Sequence, residues 1–398
     1  MAHVPQTFNI VFSNLNIYNK DNPFTLAVCL FIFRKMIIGS VTLIILTILI
    51  VILVVLAVTA PIYLHLPRFG KFPSGARLER IRRSPNYRDG KFQNLVETDV
   101  IVKKSARSFA KTLIHIAFGK KKIALKPEKP LNMVKRDLNN LPADRDLYVW
   151  FGHSAYLLSL HGTTVLVDPT FVTASPVSFI NKPFAGTDLY KPEDMPHRID
   201  YLVITHDHYD HLDCETIERL KDRVGHVICP LGVGEHLERW GIRPEQLIEM
   251  DWNEKSSLSE DWAVFCLPSQ HFSGRSFRRD NTLWASFLLE TPSGKIFLGC
   301  DGGYGPHFRE IGEEHPDIDL VILENGQYNE QWGNIHTMPK NLGREAVDLG
   351  AKRVITVHHS KYALALHPWD EPLGNELTAR DEYGLNLIIA ELGEITEL

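Results

Sequence analysis

Tyr201-Leu202-Val203-Ile204 runs into Thr205-His206-Asp207-His208-Tyr209-Asp210-His211-Leu212-Asp213, and a helix-like run, Cys214 to Leu220, follows at once. The apolar opening reads as a buried strand, so the HxHxDH cluster fills a short loop between strand and helix. Alternate residues of an extended segment point to the same side. His206 and His208 can therefore reach one ion, while Asp210 and His211, past the bend, can face a second. Imidazole nitrogen and carboxylate oxygen are the ligands that zinc and similar divalent ions take. A lone histidine at a strand end is ordinarily a solvated loop residue. Ligand-type groups crowded this closely need a cation to offset them.

Two ions need more ligands than this loop supplies, and the sequence offers them at equivalent places downstream. The strand candidate Trp262 to Pro268 leads to Ser269-Gln270-His271. A hairpin, Leu283 to Glu290 and Lys295 to Cys300 around Thr291-Pro292-Ser293-Gly294, leads to Asp301-Gly302-Gly303. Arg353 to Val357 leads to His358-His359. Each candidate lies just past the carboxyl end of a strand, where α/β enzymes assemble their sites. A carboxylate has two oxygens and can span two ions, which an imidazole cannot. Gly302-Gly303 leaves room for close approach of backbone to a ligand.

In these motifs the chain resembles the metallo-β-lactamase fold superfamily, whose pattern is HxHxDH, then His, Asp and His. Within it the resemblance is closer to N-acyl-phosphatidylethanolamine-hydrolysing phospholipase D. It covers roughly residues 145 to 375 and rests on Trp150-Phe151-Gly152-His153-Ser154, Val167-Asp168-Pro169, the HxHxDH loop, Gln270-His271, Asp301-Gly302-Gly303-Tyr304 and His358. It implies that His206, His208 and His271 hold one zinc, that Asp210, His211 and His358 hold another, and that Asp301 bridges them, giving two Zn2+ per chain. His359 is the alternative to His358, which lies nearer the strand end and at the family position. Asp210, Asp168 and His336 are the candidate catalytic residues. Asp168 would orient a ligand histidine or bound water. His336 would donate a proton, or else merely sit beside Thr337, the expected N-cap of a helix near Pro339 to Leu349. Phe272, Tyr304, Tyr328 and Trp332 are candidates for guiding acyl chains.

The amino end differs from the rest. Met36 to Ala60 contains no charged residue and is rich in Ile, Leu and Val, long enough to cross a bilayer as a helix. A cleaved signal peptide is the rival reading, but the apolar run exceeds a normal signal core and Pro61 would follow the cut. Phe24 to Phe33, set off by Arg34-Lys35, reads as interfacial, and a start at Met36 is an alternative to Met1. Arg68, Lys71, Arg77, Arg80, Arg82 and Arg83 follow, then Lys120-Lys121-Lys122, in a protein whose net charge is −5. This local basicity, with amphipathic spacing in Ser105 to Phe118, points to anionic lipid as partner. Nucleic acid is not expected, since no base-stacking motif accompanies the charge. The positive-inside rule places the carboxyl-terminal domain on the cytoplasmic side of a single-pass anchor. Cys214, Cys229, Cys266 and Cys300 lie in or beside apolar elements, as buried free thiols would.

The expected architecture is α/β: a four-layer αββα metallo-β-lactamase sandwich with an N-terminal transmembrane helix, the layering being implied by the resemblance. The expected divisions are residues 1–35, a tail; 36–60, the anchor; 61–145, a basic juxtamembrane region and linker marked by Pro127, Pro130 and Pro142; and 146–398, the hydrolase domain. The expected activity is phospholipase D-type hydrolysis of a membrane phospholipid to phosphatidic acid and the head-group alcohol. The alternative is a lactonase or a sugar-phosphate or cyclic phosphodiester hydrolase of the same fold. A di-iron oxidoreductase would need similar ligands but usually carries a flavin domain or further carboxylates. A non-catalytic binding protein would not need the full ligand set.

Overall fold

Strands such as Val165-Leu166-Val167 and Leu320-Val321-Ile322-Leu323 are apolar on both faces, the pattern of parallel strands covered from both sides. The computed structural model describes residues 23–101, 123–276 and 278–398. A hairpin, β1 (Tyr87–Arg88) and β2 (Lys91–Phe92), precedes two larger sheets. The first is built from β3 (Leu147–Trp150), β4 (Tyr156–Leu160), β5 (Thr163–Val167), β6 (Ile199–Val203), β7 (Val224–Pro230) and β8 (Leu247–Met250). The second takes β9 (Lys255–Ser257), β10 (Ala263–Leu267), β11 (Ser286–Thr291), β12 (Gly294–Leu298), β13 (Leu320–Glu324) and β14 (Val354–Val357), and β15 (Ile395–Glu397) returns to the first. The strand orders are β15-β3-β4-β5-β6-β7-β8 and β14-β13-β12-β11-β10-β9. β5 to β8 run parallel, as do β12 to β14.

Alternation along the second sheet explains the layering. Phe287, Leu289, Ile296, Leu298 and Ile322 join one core with residues of the first sheet. Their neighbours Leu288, Phe297, Val321 and Leu323 join a second core with Phe308, Ile311, Leu342 and Ala346 of the helices His307–Glu314 and Leu342–Asp348. Helices Cys214–Leu220 and Gly234–Arg239 bring Ile217, Leu220 and Leu237 to the first core. The result is the expected helix, sheet, sheet, helix sandwich. Each fully buried Leu, Ile or Phe contributes about 1.5–3 kcal/mol.

At the amino end one helix runs Pro23–Leu64. The stretch Ala27–Leu64 of this helix is long and apolar enough to cross a membrane, and nearly all of its side chains are exposed. It extends beyond the expected Met36 to Ala60 and takes in Phe24 to Phe33. Arg34 and Lys35 do not interrupt it, because both are good helix formers and Lys35 Nζ lies 4.9 Å from the Phe31 ring one turn back. The amphipathic stretch Ser105 to Phe118 and Lys120-Lys121-Lys122 lie outside the described residues.

The compact unit that contains both sheets begins at Pro67, not near Asp146. Ile81 and Phe92 are buried in its core, as are Met133 and Leu138, and Val134 N donates to Leu392 O. Several of the basic residues expected to meet lipid are committed within the protein. Arg77 pairs with Glu235, Glu238 and Glu249 at 2.7, 2.5 and 2.8 Å. Lys71 pairs with Glu235 and Arg80 with Glu254. A groove of about 690 Å³ beside β8 and β9 is lined by Arg77, Arg80, Glu238, Glu249 and Glu254 of these pairs.

Removing a buried ion-pair partner costs about 3–5 kcal/mol, and partial exposure reduces that by screening. Arg77→Ala is therefore expected to lower stability by about 2 kcal/mol in urea denaturation. Arg82→Ala, whose exposed partner Glu79 lies one turn away, should change it by less than about 0.5 kcal/mol.

Candidate metal centre

The strands all deliver their chemistry at one edge. β6 ends in the loop of His206, His208, Asp210 and His211, and β5 ends at Asp168. The β3–β4 turn carries His153, and β10, β12, β13 and β14 lead to His271, Asp301, Glu324 and His358. The turn and the end of β14 are zipped together: His153 N donates to His359 O and His358 N donates to His153 O, at 2.8 and 3.0 Å. His153, Asp168, Gln327 and His358 have left-handed backbones, with φ of 55°, 40°, 55° and 72°. Such strain concentrates at functional sites.

One cluster is His206, His208 and His271. His206 Nε2 and His271 Nε2 lie 2.9 and 3.2 Å from His208 Nδ1. Thr205 Oγ1 gives its proton to Asp168 Oδ2, at 2.6 Å, so it accepts from His206 Nδ1 at 3.0 Å. His271 Nδ1 donates to Ile335 O at 2.8 Å. Both rings thus carry their protons on the outer nitrogen and aim lone pairs at the centre. Burial, then the neighbouring imidazoles, hold the pKa of His206 and His271 well below the usual value. Neutral imidazoles with converging lone pairs fit a metal ion and fit little else.

The other cluster is His153, Asp210, His211 and His358, with Asp301 between the two. Asp301 Oδ2 lies 3.2 Å from His211 Nε2 and 2.9 Å from His358 Nε2. Both nitrogens are buried and make no well-aligned hydrogen bond. Burial lowers the His211 pKa, yet Asp301 and Asp210 outweigh it and raise it to about 10. Burial also opposes charge on Asp301, which His211 and His358 nonetheless hold well below the carboxylate range. The carboxylates demand positive charge, and a divalent ion coordinated by the orphaned nitrogens would supply it.

Asp168 lies beside the cluster: its Oδ2 is 2.8 Å from His211 Nδ1 and its Oδ1 accepts from Thr205 N at 2.9 Å. His336 Nδ1 bonds Glu324 Oε1 and lies 3.9 Å from Asp301 Oδ2. Thr337 does not cap a helix. Its hydroxyl meets Gly302 O and the Glu345 carboxylate, and the following turn has Met338 at its N-cap position. His359 turns away, with its ring 4.7 Å from Trp150 and Nδ1 2.8 Å from Ser360 Oγ. The space beside Gly302 and Gly303 is filled by neighbouring loops: an added Cβ would meet Ser269 Oγ at 2.3 Å and Asn334 O at 2.1 Å.

Sequence reasoning left two groups out. His153 stood in a quoted motif without a role, yet its Nε2 is 3.0 Å from Asp210 Oδ2. Glu324 was unmarked, although it closes the apolar run of β13 at the same strand-end position that picked out His271 and His358.

The remaining motif residues fix the loop. Asp207 accepts from Gly274 N, Thr282 Oγ1 and His236 Nε2 at 2.7, 3.0 and 3.3 Å, and His236 Nδ1 accepts from Lys71 N at 2.9 Å. Arg275 donates to Asp207 O, Leu212 O and Arg68 O. Asp213 caps the next helix through Glu215 N.

The clusters open into a cavity of about 240 Å³ whose floor includes His208, Asp210, Asp301 and His336 and whose walls include Val100, Ile101, Phe272, Trp332 and Leu364. Arg279 lines the same cavity and lies 5.2 Å from the Phe272 ring. Tyr304 and Tyr328 do not line it: their hydroxyls bond Asp348 and Glu371.

A family model described as a beta-lactamase superfamily domain matches residues 163–359. An uncharacterised protein of Mycobacterium tuberculosis is 35% identical over 306 residues, covering 75% of this chain and 80% of that one. The chain belongs to the beta-lactamase superfamily, and it is a metal-dependent hydrolase of the metallo-β-lactamase fold. Caenorhabditis elegans N-acyl-phosphatidylethanolamine-hydrolyzing phospholipase D 1 is 28% identical over 271 residues, 62% of this chain and 74% of the relative. The mitochondrial N-acyl-phosphatidylethanolamine-hydrolyzing phospholipase D of Saccharomyces cerevisiae is 29% identical over 242 residues, 56% and 49% of the two chains.

Behind the site Lys361 is buried, its Nζ donating to Thr170 O at 2.9 Å. Burial pushes its pKa down to about 7. The unfolded chain keeps the proton up to about pH 10.4, so the unfolded state binds more protons between these values and stability rises with pH there. Relative to Lys361→Met, the wild type should gain stability at up to about 1.4 kcal/mol per pH unit above pH 7. Paired urea denaturations between pH 6 and 9.5 measure this difference.

Proposed function

We propose that the protein is a membrane-anchored dinuclear zinc phosphodiesterase. It hydrolyses N-acyl phosphatidylethanolamine or a related phospholipid to phosphatidic acid and the head-group alcohol. The observation that carries this reading is the pair of ligand clusters meeting at Asp301 on the floor of a cavity walled by apolar side chains. His206, His208 and His271 would hold one zinc, Asp210, His211 and His358 the other, with Asp301 shared. When bound, the ions supply a hydroxide nucleophile near neutral pH and neutralise charge on phosphoryl oxygens.

The chain's own residues account for the rest. Asp168 fixes the His211 ring through Nδ1, so the lone pair on Nε2 stays on the cluster side. Asp210 has the more exposed of the two acidic ligand side chains, at 18% against 4% for Asp301, and would accept a proton from water. Glu324 holds His336 by Nδ1, leaving Nε2 as the ring nitrogen available to protonate a departing alkoxide. Phe272, Trp332 and Ile101 offer an apolar path for acyl chains, and Arg279 offers positive charge to a phosphate. Lipid as substrate also suits the helix Ala27–Leu64 and the names borne by the nematode and yeast relatives.

Metal-replete protein should contain about two zinc ions per chain by mass spectrometry, and Asp301→Ala should lose both metal and activity. One ion or none in the wild type rejects the dinuclear centre.

Turnover of N-acyl phosphatidylethanolamine in oxygen-18 water should place the label on the phosphate of phosphatidic acid, since attack at phosphorus breaks the bond to the head-group oxygen. Labelled fatty acid, or no phospholipid turnover beside rapid lactone opening, rejects the phospholipase D assignment.

A further inference from the structure

His271 is the one member of the three-histidine cluster that comes from the second sheet. His206 and His208 share the loop after β6 in the first. The cluster therefore closes only if the loop after β10 is held at the right distance. Trp284, Asp301, Gly303 and Asn334 hold its residues Ser269 and Gln270, but the backbone of His271 itself is held by a group from neither sheet. Asn94, in the strap after the β1–β2 hairpin, pairs with the backbone of His271 in the manner of a neighbouring strand. Its Oδ1 accepts from His271 N at 3.1 Å and its Nδ2 donates to His271 O at 2.9 Å. Among the described residues neither backbone group of His271 has another hydrogen-bond partner, and the residue is fully buried.

The clamp is itself held. Trp284 Nε1 donates to Asn94 Oδ1 at 3.1 Å, and Phe92 N, two residues earlier, donates to Asp280 O at 2.8 Å. Further along the strap Asn334 Nδ2 donates to Asp99 O at 3.2 Å, and Val100 and Ile101 then wall the cavity. With Ile335 O fixing Nδ1 of the ring, Asn94 fixing the backbone leaves Nε2 a single position. The strap lies outside the matched family domain, residues 163–359.

We infer that Asn94 is a positioning residue for His271, setting the geometry of the three-histidine metal site from outside the two sheets. The inference rests on the reading of His206, His208 and His271 as metal ligands. A side chain that orients a ligand, when removed, weakens metal affinity roughly 10- to 100-fold.

The test uses the full chain in detergent, loaded with zinc, and follows zinc release into a chromogenic chelator together with metal content. Asn94→Ala should release one of its ions roughly 10- to 100-fold faster than wild type, with the other ion unchanged within about twofold. Asn94→Asp, which keeps the acceptor for His271 N and loses the donor to His271 O, should fall between the two, and it carries the test should Asn94→Ala fail to fold. Leu289→Ala, a core change between the sheets, controls for lost stability and should retain zinc like the wild type. Release from both Asn94 variants at the wild-type rate, or equal loss from Leu289→Ala, overturns the inference while leaving the metal centre standing. A wild type that binds no zinc overturns the reading of the centre and this inference with it.

Discussion

Two carboxylates crowded among imidazoles, Asp301 buried and Asp210 half-buried, are the constraint on which the remaining structure depends. A charged group out of water costs several kcal/mol unless opposite charge is set against it, and Asp210 and Asp301 sit where two sheets meet, with His153 the nearest counter-group of the first and His211 and His358 the nearest of the second. No single loop can surround such charges. Both sheets must end at the same edge, and the chain must turn sharply there. The left-handed residues His153, Asp168 and His358 make those turns and persist because the surroundings leave them no alternative.

Around the charges four rings are fixed by a second contact. Thr205 and Asp168 hold His206 and His211, Ile335 holds His271, and Glu324 holds His336. Such partners set which nitrogen faces the centre. The outermost ring of contacts runs through Asp207, His236 and Arg275 to the backbone of Arg68 and Lys71. The residues just after the apolar helix are thereby tied to the loop that carries the HxHxDH motif.

What was legible in the sequence was the chemistry with local signatures. Strand runs ending in His271, Asp301 and His358 could be seen because apolar patterning and ligand identity are both written along the chain, and the sandwich followed from the motif resemblance. Glu324 was missed because a glutamate closing a strand looks like any solvated end until the histidine opposite it is known. Asn94 was invisible for a similar reason: a side-chain amide pairing with backbone leaves no periodic trace. The reach of the compact unit back to Pro67 was hidden because Arg77 and Arg80 read as a basic stretch, and their partners Glu235, Glu249 and Glu254 lie far away in sequence. Arg34-Lys35 looked like a break, yet charge alone does not end a helix.

The closing of the first sheet by β15 joins distant parts of the sequence. Ile395–Glu397 pair with Leu147–Trp150, the strand that carries the chain toward the His153 turn. The segment between them must be looped back before that pairing rewards it, and pairings so far apart along a chain form slowly. The half of the site that hangs on β3 is thereby bound to one of the longest loop closures in the fold.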